Sequence, residues 1–130
     1  MNRVDLERFE PYLRSLLRIM AAFTFSQHGW QKFFGSLGGP SFPITTMLGA
    51  AGAIETVGGA LLILGLFTRP VAFVLAGEMA VGYFRTHAPR GFWPLLNGGE
   101  ITVVYCFLWL WFSSAGAGAW SLDRLLGRKS

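Results

Sequence analysis

The sequence predicts an all-α integral membrane protein, a four-helix bundle with both termini in the cytoplasm. Three observations carry that prediction. Of 130 residues, 52% are hydrophobic and only 14% charged. Soluble globular domains hold about 45–50% and roughly 25%, so polar side chains are too few here to coat a soluble globule. Four apolar runs are separated by glycine and proline breakers. The basic residues flank these runs unevenly: Arg3, Arg8, Arg14, Arg18, Arg69, Arg124, Arg128 and Lys129 fall on one side of the predicted membrane, and Lys32, Arg85 and Arg90 on the other. An excess of arginine and lysine marks the cytoplasmic side.

The first predicted span covers about residues 13–34, with its most apolar stretch at Ile19–Phe25. Gly38, Gly39, Pro40 and Pro43 break the chain before the second span, about 44–67. Thr68 and Arg69 precede a third span, about 70–86, whose Pro70 suits the first turn of a helix. The segment from Pro89 to Asn97 interrupts the chain again before a fourth span at about 98–115. The third and fourth runs are short for a hydrocarbon core of roughly 30 Å and need flanking aromatics or local thinning. Tyr12, Trp30, Trp93 and Trp120 lie near run ends, where interfacial aromatics belong.

Composition excludes several functions. The net charge is +4, but the basic residues form no clustered, solvated stripe, which argues against nucleic acid as a partner. Cys106 is the single cysteine, so an internal disulfide, a Cys-x-x-Cys redox pair, a cysteine-rich zinc site and a covalent haem attachment are excluded. No nucleophile elbow, phosphate loop or dinucleotide fingerprint is present. The aromatics Phe107, Trp109, Trp111 and Phe112 face lipid or core, or line a slot for a flat apolar ligand such as a quinone.

The informative residues are the charges inside the runs, where each costs roughly 2.5–3.5 kcal/mol at the centre of a span. Glu55 sits near the middle of the second run, Glu78 in the third, and Glu100 opens the fourth. On the first, Arg14, Arg18, His28 and Lys32 share one helical face. Ala51, Gly52, Gly58 and Gly59 surround Glu55 with small residues that allow close helix contact. At 1.5 Å per residue from the cytoplasmic ends, Arg18 and Glu78 lie at ~8 and ~12 Å, and Glu55, Glu100 and His28 at ~18, ~21 and ~22 Å. Two layers are expected: an inner structural ion pair of Arg18 with Glu78, and an outer polar site of His28, Glu55 and Glu100 with Lys32 above. Histidine titrates near neutral pH, and two carboxylates can share a proton. Without a His-x-x-His or Glu-x-x-His pair, no metal site is assigned.

Four segments carry a family resemblance: His28-Gly29-Trp30-Gln31-Lys32; Glu55-Thr56-Val57-Gly58-Gly59 followed by Leu64-Gly65-Leu66-Phe67-Thr68-Arg69; Asn97-Gly98-Gly99-Glu100; and Gly116-Ala117-Gly118-Ala119-Trp120-Ser121-Leu122-Asp123. Together they are similar to the DoxX family of small bacterial membrane proteins, and the match runs from about Leu13 to Leu125. The resemblance implies that residues 1–130 are one four-span domain of the bacterial inner membrane. The family takes its name from a subunit of an archaeal thiosulfate:quinone oxidoreductase. A redox-associated membrane subunit is therefore expected, touching a quinone or a small sulfur species, with His28, Lys32, Glu55, Asn97 and Glu100 as the shared polar site. The expected partners are the lipid bilayer, oxidoreductase subunits and a second copy of the chain. With no cofactor motif of its own, the chain cannot transfer electrons alone. The buried carboxylates also suit a small-molecule or proton-coupled carrier, and structural ion pairs alone would suit a non-catalytic scaffold.

Overall fold

A computed structural model describes residues 3–128; Lys129, counted above among the basic residues, lies outside the described residues, as does the side chain of Arg3. All regular structure among the described residues is helical. A short α1 (Arg3–Glu7) leads into α2 (Glu10–Phe34), with Pro11 in its first turn. Gly35, at φ 71°, ends α2 in the left-handed conformation that glycine adopts without strain. The chain doubles back at once, the Phe42 N–H donating to the Lys32 carbonyl at 2.8 Å. Thr46 caps α3 (Met47–Leu64), its hydroxyl accepting from the Gly49 N–H at 3.1 Å.

A tight turn through Gly65 starts α4 (Thr68–Gly82), which places Pro70 in its first turn as predicted. The α4 axis continues as a π-helical turn, Tyr83–His87. After the short α5 (Pro94–Asn97) comes α6 (Glu100–Ala115), then an extended strap and a last short helix, α7 (Leu122–Leu125). The four predicted runs thus correspond to α2, α3, α4 with its π turn, and α6. Their ends move by a few residues, because caps and turns rather than hydropathy set them.

The helices pack as two antiparallel pairs, α2 with α3 and α4 with α6, joined across α3 and α4. Gly29 allows the close approach in the first pair: a Cβ there would lie 2.6 Å from the Thr56 backbone nitrogen. Phe25, Leu62, Leu75, Tyr105, Trp109 and Phe112 fill the centre. Phe107 and Trp111 are exposed while Trp109 and Phe112 are buried, so these four aromatics divide between two faces and form no common slot.

The outer surface is apolar as well. Leu16, Met20, Phe23, Val57, Phe73, Val74, Val104 and Phe107 are all exposed, and exposed apolar surface on this scale marks contact with lipid or protein. By length and composition, Met47–Leu64 can cross a membrane, and Glu100–Ala115 is a shorter apolar helix. At 15 residues α4 is shorter still, and α2 carries Glu10, Arg14, Arg18 and Lys32.

Candidate functional site

Two layers of buried charge exist, but their membership differs from the expected one. At the end where the strap packs, Arg18 is 1% exposed. Its guanidinium donates to the Leu62 carbonyl at 2.7 Å, the Trp120 carbonyl at 2.7 Å and the Ala117 carbonyl, with longer contacts to Ile63 and Ser15. Leu62 and Ile63 belong to the last turn of α3, whose carbonyls carry the negative end of the helix dipole. Arg14 and Arg69 likewise donate to the last carbonyls of α6, at Ala115 and Ser114. The opposite charge comes from Asp123, which accepts from the Phe67 N–H at 2.8 Å and the Thr68 N–H at 2.9 Å, capping the start of α4. Gly65 lets the strap pass: a Cβ on it would lie 2.5 Å from the Ser121 Cβ.

The expected Arg18–Glu78 ion pair is therefore corrected. Arg18 reaches toward the helix ends, where several carbonyls and one carboxylate converge, and Glu78 turns the other way. Asp123 is the partner that hydropathy could not reveal. The Ser-Leu-Asp ending carried the signal, since a serine followed by an acidic residue after a glycine-rich strap reads as a helix start.

The second layer joins α2, α3 and α4. Lys32 Nζ donates to both oxygens of Glu55, at 3.0 and 2.8 Å, and Glu55 is fully buried. From α4, Glu78 stands beside Glu55 and Lys32 in the same cluster. Its Oε2 is buried and has no hydrogen-bond partner. A cavity of about 60 Å³ adjoins the cluster, lined by His28, Lys32, Glu55, Tyr105 and Thr102 among others. It exceeds the ~10–15 Å³ that a single water needs, and its lining is polar enough to admit water. His28 is exposed and stands edge-on to Tyr105, ring centroids 6.2 Å apart. Thr102 and Tyr105 were not anticipated from sequence; they sit one α-helical turn apart on the inner face of α6.

Glu100 and Asn97 do not join this layer. Glu100 is exposed at the first turn of α6; about 100° per residue puts it about 200° around the helix from Thr102. Asn97 is buried, but it donates to the Tyr83 hydroxyl at 3.0 Å and the Gly91 carbonyl at 2.9 Å and accepts from the Gly99 N–H at 2.8 Å. It shapes a neighbouring slot of about 390 Å³, lined by Tyr83, Phe84, Pro89, Gly91 and Phe92. Among the described residues, no three His, Cys, Asp or Glu side chains are placed to hold a metal ion. A larger groove of about 440 Å³ between α3 and α4 is lined by apolar residues such as Ile54, Val57 and Val74, which offer no polar chemistry.

Comparison with known proteins places this arrangement in context. A family model described as DoxX matches residues 13–88. An uncharacterized protein of Haemophilus influenzae is 46% identical, the match covering 96% of this chain and 98% of that protein. The inner membrane protein YqjF of Escherichia coli is 31% identical over 86% of this chain and 90% of its own length. The putative oxidoreductase CatD of Bacillus subtilis is 40% identical over 47% of this chain and 49% of its own length. No solved structure matches the chain.

Proposed function

The chain belongs to the DoxX family, and from that premise we propose that it is a multi-pass protein of the bacterial inner membrane acting as the small membrane subunit of a redox assembly. The inner-membrane assignment follows the relative named as such, and the redox association follows the relative named as an oxidoreductase. In this reading α2, α3, α4 with its π turn, and α6 all cross the bilayer, and the bias in basic residues puts both termini in the cytoplasm. The short α4 and α6 are accommodated by thinning and by the aromatic side chains near their outer ends.

The observation that carries a functional site is the Lys32–Glu55 ion pair, set among apolar helices beside a polar cavity that reaches His28. An ionisable cluster in such surroundings is retained at a cost in stability and marks function by default. The cavity is too small for a ring, whereas ligand pockets run to about 300–1,000 Å³. The slot shaped by Asn97 falls within that range and has the aromatic faces a quinone ring stacks on. The division of labour is then a flat head group in the slot and polar chemistry in the cluster, with electrons supplied by a partner, since the chain has one cysteine and no haem-attachment motif.

A scaffold reading has one observation in its favour: Lys32 uses two donors on Glu55 and so pins α2 to α3. Purification in mild detergent separates the two. The redox reading expects oxidoreductase subunits and bound quinone to co-purify. A lone, ligand-free protein would contradict it.

A further inference from the structure

We propose that Glu55 and Glu78 form a proton-binding pair, in which the two carboxyls hold one exchangeable proton between them and Lys32 balances the remaining charge. The proposal deepens the reading of this cluster as functional, and does not depend on which partner supplies electrons. Its first support is placement. Glu55 and Glu78, from α3 and α4, stand in one cluster with Lys32, and two neighbouring carboxyls repel as anions unless one carries a proton. The second support is charge. One ammonium faces two carboxylates in apolar surroundings, and an uncompensated buried charge there is costly; one added proton makes the cluster neutral.

The geometry also assigns the proton. Lys32 donates to both Glu55 oxygens, which keeps Glu55 ionised. Glu78 Oε2 is buried without a partner, and Glu78 is the group that takes the proton. The step is proton binding alone: a carboxylate and a hydronium ion give a carboxylic acid and water. The path is the roughly 60 Å³ cavity, which reaches the pair at Glu55 and whose other titratable groups, besides Lys32, are His28 from α2 and Tyr105 from α6. Glu100 faces away. Exposed His28 is placed to relay between outside water and the cavity. A redox subunit needs such a site, because quinone reduction takes up protons along with electrons.

Infrared spectroscopy of the full chain in detergent at neutral pH tests the pair through the C=O stretch of a protonated carboxyl. A band that shifts in D2O is expected in the native protein, is expected to be lost in Glu78→Gln, and to persist in Glu100→Gln. No such band, or one that survives Glu78→Gln, would overturn the proposal. Should Glu78→Gln not fold, Lys32→Met gives a second reading. Losing the cation leads Glu55 to take a proton too, and the band grows about twofold; an unchanged band overturns the pair. The spectrum reads the protein by itself. A protonated pair in a chain that co-purifies with nothing leaves this inference standing and sinks the redox association, and a missing band in a chain that brings its partners does the reverse.

Discussion

The two layers of buried charge in this protein are built on different rules. Around Arg18, the positive group is surrounded by carbonyls at the ends of helices and in the strap, and Asp123 sits on the positive end of α4. Charge there answers mainly helix ends and backbone carbonyls, with the Arg128–Asp123 ion pair at 4.0 Å beside them, and Thr68 Oγ1 and Arg69 Nε are left without a partner. Around Lys32, charge answers charge. A lysine holds one carboxylate with a second carboxyl beside them, one oxygen lacks a partner, and a polar cavity runs past an exposed histidine. A layer anchored on backbone carbonyls and helix ends holds structure; one of opposed side-chain charges with a polar way in can do chemistry.

Arg18→Leu should give the largest effect. It removes the guanidinium that joins the Leu62, Ala117 and Trp120 carbonyls and one of the two positive charges near Asp123, the other being Arg128 at 4.0 Å. Breaking a buried charge network of this kind costs about 3–5 kcal/mol. Thermal unfolding in detergent checks it, and a near-native midpoint would show that the strap layer is not what ties the helix ends together.

Lys32 and Glu55 should give a smaller and partly recoverable effect, because a carboxyl can shed its charge by binding a proton whereas a carbonyl cannot shed its dipole. Lys32→Met and Glu55→Gln together should destabilise less than the two singles added, with a coupling of about 1–2 kcal/mol. Strict additivity in a double-mutant cycle would dissolve the pair.

These contrasts also explain which features were legible in the sequence. The helices follow from run length and breakers, and Pro70 marks a start by its backbone preference, whereas the stop at Gly35 falls just before the predicted breakers Gly38, Gly39 and Pro40. Heights along the helices are legible only in part: the residue count sets Lys32 above Glu55, yet the two meet, and Glu78, counted into the inner layer with Arg18, stands with them. Azimuth was harder. Glu100 was placed at a suitable height but lies on the far side of α6 from Thr102. The partners of Arg18 were the least legible, because most are backbone carbonyls that no side chain announces. Asn97 was recognised as part of a motif, but its hydrogen bonds with Tyr83, Gly91 and Gly99 shape a slot and belong to no charge cluster.

The claim that the second layer works while the first only holds is tested most directly by His28→Gln. His28 is exposed, and its ring contact with Tyr105 is the one packing feature it brings to the cavity, so its replacement should leave stability within about 0.5 kcal/mol of native. Thermal stability and quinone-reducing activity of the co-purified assembly are measured on the same preparation. A stable protein with most of its activity lost is the expected result. Full activity in a stable variant, or activity lost only in proportion to folded protein, would contradict the account.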